Sequence, residues 1–365
     1  TGLEWGRGDE DERIFNPTEL DCDQWVEAVK SAGMKGLILT AKHHDGFCLW
    51  PSRYTEHSVK NCPVKVDVVR EAAEACRRGG IAFGFYLSPW DRNSPLYGTA
   101  AYNEYYQNQL TELLTEYGDI FCVWLDGACG EGPNGRKQVY DFPGIIELVR
   151  KYQPGAVIFQ DGGPDTRWIG NEAGWAGETN WAMGSGEYGD ENGWQWHPGE
   201  SDAKATTKGW FWHEGEGIYS AERLFQMYLE TVGRNATFIL NIPPDKTGKL
   251  PAQTVNRMKE LGQMITNRLG NDLAKNAQVE ASATRQGGAS VSYEAGNVTD
   301  GDKNTYWATD DGTTSASLTF TWDTPQTLHY VSMMEFIRLG QRVKSFTIET
   351  SEDGTTFTRR GGNIK

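Results

Sequence analysis

Gly36-Leu-Ile-Leu-Thr-Ala-Lys-His-His-Asp-Gly46 is the stretch that decides the fold. Residues 36–40 are continuously apolar rather than alternating, the pattern of a strand buried on both faces, and they empty into the polar cluster Lys42-His43-His44-Asp45. An amphipathic stretch over 21–32, stopped by Gly33, precedes them. The same sequence of helix signal, apolar run and polar cluster then recurs. A helix over 67–78 leads to a strand over 81–87 and to Ser88-Pro89-Trp90-Asp91. One over 101–117 leads to 120–125 and to Asp126-Gly127; one over 143–152 leads to 156–159 and to Gln160-Asp161-Gly162. The pair 221–232 and 237–241 ends in Pro243-Pro244-Asp245, and a helix over 251–268 closes the series.

Helices alternating with continuous apolar strands predict a parallel sheet covered on both faces. Polar clusters at the C-terminal ends of many strands are the active face of an α/β (β/α)8-like TIM barrel, whereas an open doubly wound sheet gathers its polar groups at one crevice. The barrel is expected over 1–270; its strand count falls short of eight, so a first strand is expected to be missing. After a linker at 271–277 the chain becomes rich in Ser, Thr and Gly. Alternating runs at 317–322, 330–334 and 345–349 predict an antiparallel β-sandwich over 278–365, truncated because too few strands remain to close two sheets.

Composition narrows the function. The 365 residues carry 35 Lys and Arg against 50 Asp and Glu, a formal charge of −15, which excludes a phosphate-binding surface for nucleic acid and any attraction to anionic lipid. No apolar run approaches the roughly 20 residues that span a bilayer, and the start does not read as a signal peptide. The six cysteines, all within the first 129 residues, lack metal-type spacing and read as buried free thiols. Tryptophans in polar, Gly-rich stretches (Trp175, Trp181, Trp194, Trp196) suit sugar rings as well as they suit a core.

Three segments could carry chemistry. Asp126 sits at the lip of an apolar strand, followed by a glycine that permits close approach of a ligand; a turn-capping carboxylate is an equal alternative. His43 and His44 adjoin a strand end, where neighbours in extended backbone point to opposite sides, so they suit hydroxyl binding better than a shared metal. Glu172, in Arg167-Trp-Ile-Gly-Asn-Glu172, could reach over the same mouth, with Trp168 and Trp175 raising its pKa. Taken alone, each histidine is more often a satisfied core residue and Glu172 a solvated one. Two carboxylates from separate strand ends are what glycoside hydrolysis requires. Gly130-Glu-Gly-Pro-Asn-Gly135 fits a dinucleotide pattern but has no helix to open, and the sequons at Asn235 and Asn297 are weak matches.

In order, the segments 32–47, Phe85-Tyr-Leu-Ser-Pro-Trp90, Trp124-Leu-Asp-Gly-Ala128 and Val232-Gly-Arg-Asn235 resemble glycoside hydrolase family 29, the α-L-fucosidases, over residues 4 to 265. The resemblance implies a retaining enzyme without a catalytic cofactor, with Asp126 as nucleophile and His43, His44 and Tyr86 on fucose hydroxyls. It places Glu4 and Trp5 in an early substrate-binding segment. The Arg167–Glu172 segment and Gly209-Trp-Phe-Trp-His213 are similar to the subgroup that prefers α-1,3- and α-1,4-fucosides in Lewis-type glycans, which implies Glu172 as acid/base and Trp212 as a pocket wall. The family's first strand with its own histidine is absent, and the 62–67 connection is short. The 129–141 loop, with Glu131, Asn134, Arg136 and Gln138, is expected to meet the branching sugar. The segments 297–307 and 349–354 resemble discoidin-type (F5/8 C) sandwiches, which implies carbohydrate binding and a structural calcium on Asp300 and Asp302. Fucosylated glycans are the expected partners, and a secreted, periplasmic or cell-surface site in a bacterium the expected location. The competing functions are a catalytically silent fucose lectin on a hydrolase scaffold and a fucosidase of broader linkage.

Overall fold

Side-chain caps set where the helices begin. Asp21 accepts from the Gln24 amide and starts α1 (Cys22–Ser31); Asp67 accepts from Arg70 and starts α2 (Val68–Gly79), which ends on left-handed Gly80. The computed structural model describes residues 5–364. It divides into two compact units, one up to Met264 and one from Ile265.

In the first unit, β1 (Gly36–Lys42) follows α1, and β2 (Ala82–Leu87) follows α2. Next come α3 (Ala100–Glu116), β3 (Cys122–Trp124), α4 (Phe142–Tyr152) and β4 (Val157–Phe159). The four strands pair in parallel in the order β1-β2-β3-β4. A second parallel sheet holds β5 (Arg167–Trp168), β6 (Gly199–Lys204) and β7 (Ala236–Asn241), with α5 (Ala221–Thr231) before β7 and α6 (Ala252–Leu269) after it. A parallel bridge between Phe159 and Thr166 joins β4 to the start of β5. Strands in chain order with helices outside make a TIM-barrel-like domain whose C-terminal strand ends share one face.

The helices bury one stripe each. α2 turns Val68, Val69, Ala72, Ala73 and Cys76 inward, and α3 buries Leu110, Leu113 and Leu114. Each fully buried leucine contributes roughly 1.5–3 kcal/mol. All six cysteines are unpaired, five of them buried.

The structure differs from the sequence expectation in the second sheet. β5 and β6 escape the apolar pattern because β6 reads Gly-Glu-Ser-Asp-Ala-Lys, yet its first five residues are buried. Polar side chains can line a barrel interior when partners meet them there, as they do Glu200 and Asp202, and periodicity is blind to that case.

The second unit is an antiparallel β-sandwich domain. β8 (Gln278–Ala281) pairs with β9 (Leu318–Thr321), and β10 (Ser345–Thr350) with β11 (Thr358–Ile364). The expected strand at 330–334 is irregular, with Met333 and Met334 exposed. Among the described residues no helix is long and apolar enough to cross a membrane.

Candidate active site

Asp126 stands two residues past the end of β3, between β2 and β4. Its Oδ1 accepts from the Ala128 amide at 2.8 Å, and its Oδ2 from the Tyr86 hydroxyl at 2.7 Å. Tyr86 comes from β2, in register with Trp124. Burial and the Asp126 charge push the Tyr86 phenol well up, so it stays a donor. With its side chain 25% exposed, Asp126 is held on two sides and open on another. The glycine after it has a different purpose from the one expected. A Cβ on Gly127 would lie 2.0 Å from Asp161 Oδ2, so the close approach is made by a neighbouring carboxylate. Desolvation and the Asp126 charge raise the Asp161 pKa.

The two histidines lie together. β1 ends at Lys42 with an irregularity after Thr40, so the alternation of extended backbone no longer governs residues 43 and 44. Their ring centroids are 3.9 Å apart, correcting the expectation that they diverge. Lys42, wholly buried, anchors them from below: its Nζ donates to Asp91 at 3.1 Å and to Gln109 at 2.9 Å. Asp91 in turn follows Trp90, whose ring lies 4.6 Å from that of His44.

A hydrogen-bond chain sets the His44 tautomer. Ser88 Oγ donates to the Trp90 carbonyl, so at 2.7 Å it accepts from His44 Nδ1–H. Burial lowers the His44 pKa to about 4, against the opposing pull of Asp126. The ring is therefore neutral at pH 7, and its Nε2, 3.9 Å from Asp126 Oδ2, carries a lone pair rather than half of an ion pair. His43 is also held neutral by burial, and its Nδ1 is buried without a hydrogen-bond partner. The same holds for Trp5 Nε1, on a ring packed 5.6 Å from His43 and 5.3 Å from His44. Glu4 lies outside the described residues.

Glu172 is exposed on the loop after β5, without the apolar enclosure that Trp168 and Trp175 were expected to give. Arg167 anchors that strand's base through Gly186 O, His197 O and Asn180 Oδ1. Trp168 instead donates its indole N–H to Asp202 Oδ1 at 2.7 Å. Asp202, from β6, is buried, and burial pushes its pKa up to about 6. The charges of Glu172 and Asp126 both add to that shift, which puts the two sequence-predicted carboxylates within electrostatic reach of one buried group. Its neighbour on β6, Glu200, accepts from Trp124 Nε1 at 2.8 Å, and burial pushes it up to about 7. Neither Glu200 nor Asp202 was picked out from the sequence. The available signal was two carboxylates at i and i+2, which share one face if the segment is a strand.

Beside the histidines, the structure puts Phe211 edge-on to His43 at 5.0 Å; Trp212, the residue expected there, is half-buried next to it. In the 129–141 loop, Gln138 is buried and bound to the Gly98 amide and the Thr99 carbonyl, and Asn134 donates to the Tyr97 carbonyl. Both serve the loop's own shape; of the four expected, Glu131, Asn134 and Arg136 are exposed. Among the described residues no group of three or more His, Cys, Asp or Glu could hold a metal ion. Asp300 and Asp302 spend oxygens on their own turn, accepting from the Asp302 amide, the Thr305 hydroxyl and the Asn304 amide.

This geometry agrees with the comparisons to known proteins. Residues 9–268 match the family model described as alpha-L-fucosidase, and residues 278–363 match the F5/8 type C domain. The chain belongs to the α-L-fucosidase family. Alpha-L-fucosidase 1 of Arabidopsis thaliana is 41% identical over 97% of this chain and 73% of its own length. A relative from rice, Oryza sativa subsp. japonica, is also 41% identical, over 97% of this chain and 71% of its own length. A Ruminococcus gnavus GH29 fucosidase solved in complex with fucose superposes with a TM-score of 0.91, at 33% identity, covering 99% of this chain and 82% of that one. Membership makes the barrel domain that of a glycoside hydrolase. The bacterial location expected from the sequence is corrected by the plant relatives, whose 41% identity extends over nearly the whole chain and argues against a bacterial origin.

Proposed function

We propose that the chain is a retaining exo-α-L-fucosidase that removes α-1,3- and α-1,4-linked fucose from branched, Lewis-type glycans. The observation that carries this is the Asp126 carboxylate, oriented by Tyr86 and the Ala128 amide and left open on one side beside two neutral histidines. Asp126 attacks the anomeric carbon while Glu172 protonates the departing sugar oxygen. A fucosyl ester of Asp126 forms, and water activated by Glu172 releases fucose with its configuration retained. The Asp202 shift supports the pairing, because both carboxylates act on it. Retention calls for carboxyl groups about 5–5.5 Å apart, and inversion for roughly 6.5–9.5 Å.

The pocket binds fucose through groups that lack partners of their own. His44 Nε2, 3.9 Å from Asp126 Oδ2 and outside any ion pair, accepts a hydroxyl proton, with the His43 and Trp5 rings packed beside it. Trp212 and Phe211 wall the sugar's apolar face. The linkage preference rests on the resemblance of the Arg167–Glu172 and Gly209–His213 segments. The catalytic domain covers 1–270, and the sandwich, 278–365, follows a linker at 271–277.

Product analysis with Asp126→Gly and Glu172→Ala variants tests the assignment. Azide should rescue Asp126→Gly to give fucosyl azide, and Glu172→Ala should lose turnover of a Lewis trisaccharide. No azide adduct, or undiminished turnover of the trisaccharide, sinks the corresponding role. Equal cleavage of 2′-fucosyllactose and 3-fucosyllactose by the parent protein would sink the linkage preference.

A further inference from the structure

Glu200, on β6, is joined to the Asp126 carboxylate through two rings. Its side chain is 5% exposed, and Oε1 accepts the indole N–H of Trp124 at 2.8 Å. That indole is stacked on both faces: against Phe159 at 4.1 Å and 8°, and against Tyr86 at 5.3 Å and 28°. Tyr86 then donates to Asp126 Oδ2 at 2.7 Å. Trp124 is also two residues before Asp126 on the same backbone, and Leu125 between them donates to the Phe159 carbonyl at 2.9 Å. The two rings hold the plane of the indole, and its N–H edge points out of the stack to Glu200. The hydrogen bond from that edge adds a fixed point within the plane.

We propose that Glu200 is a positioning residue for the nucleophile: by holding the Trp124 indole, it sets the Tyr86 ring and hence the direction in which Asp126 points. This rests on Asp126 being the nucleophile. Burying a carboxyl here has a cost that an apolar residue on β6 would avoid. The hydrogen bond to Trp124 is the compensation the structure offers.

The test compares Glu200→Gln, which keeps an acceptor oxygen at the same reach, with Glu200→Leu, which keeps the volume and removes the acceptor. Trp124→Phe removes the donor from the other side. Each is assayed for kcat and KM on a Lewis trisaccharide and for the rate of covalent trapping by 2-deoxy-2-fluoro-fucosyl fluoride, with melting temperature as a check on folding. The Gln variant should stay within about 3-fold of the parent, while the Leu variant loses about 10-fold or more in kcat with KM little changed. The trapping rate should fall by the same factor. The Glu200→Leu/Trp124→Phe double variant should be no slower than Trp124→Phe alone, because both act through one contact.

A parent-like kcat in Glu200→Leu, equal losses in the Gln and Leu variants, or additive losses in the double variant would overturn the proposal. If Glu200→Leu does not fold, Trp124→Phe decides: an unchanged kcat there overturns it equally. Peptide mass mapping of the trapped parent separates the two levels. Label on a residue other than Asp126 defeats the nucleophile assignment, whereas label on Asp126 with a fast Glu200→Leu defeats only the positioning role.

Discussion

Replacing Asp202 by asparagine should stabilise the barrel more at alkaline than at acidic pH. Asp202 is 7% exposed, and burial pushes its carboxyl from 3.8 up to about 6; the Glu172 and Asp126 charges add to the shift and the Trp168 indole opposes it. A carboxyl whose folded pKa lies above its unfolded value holds its proton more tightly when folded. Its contribution to stability is complete below the unfolded pKa and is lost as pH rises through the folded one. With roughly 2 pH units between the values and 1.36 kcal/mol per unit, the ionised group costs the fold about 3 kcal/mol at pH 8 and about 1 kcal/mol at pH 4.5. Asparagine keeps an oxygen for the Trp168 indole, now 2.7 Å from Asp202 Oδ1, and carries no charge. The variant should therefore gain about 2 kcal/mol more, relative to the parent, at pH 8 than at pH 4.5. Glu200, also raised by burial and by Asp202, titrates with the same sign in both proteins, so the comparison cancels most of its effect. Urea unfolding followed by tryptophan fluorescence at the two pH values measures the difference. A stability change independent of pH would refute the electrostatic argument, as would a loss at pH 8 larger than at pH 4.5.

Two further substitutions probe the supports of the site. Lys42→Met leaves the wholly buried Asp91 without its cation, which should cost about 3–5 kcal/mol in urea unfolding; adding Asp91→Asn should restore much of it. An additive further loss in the double variant would show that the pair is not the unit that matters. Tyr86→Phe removes the donor on Asp126 Oδ2, and a charge-assisted bond of ~1.5–3 kcal/mol translates to roughly a 10- to 160-fold loss in kcat/KM on a fucoside. A parent-like kcat/KM would mean that Tyr86 does not orient the carboxylate.

Much of the barrel was legible because its helices and first strands obey simple patterns. The helix expected over 67–78 forms from Val68 to Gly79, capped by Asp67 and stopped by Gly80. Asp126 and His43-His44 stood out as polar residues at the ends of apolar runs. Glu200 and Asp202 did not, since no apolar run surrounds them and each carboxylate looks solvated until Trp124 and Trp168, 76 and 34 residues away in sequence, come to meet it. The strand expected at 330–334 failed for the opposite reason: an apolar run alone does not supply a neighbouring strand to pair with.

By itself, then, the sequence determined how helices alternate with the apolar strands β1–β4 and β7, because backbone preference and apolar period are local properties. It also determined the excess of acidic groups, which no folding alters. Tertiary structure decided which of those groups are ionised, paired or poised. The neutral ring of His44, the tautomer set by Ser88 and the raised pKa of Asp202 all depend on water being removed and on partners arriving from other strands. Desolvation and long-range contact are products of packing, and no window of neighbouring residues encodes them.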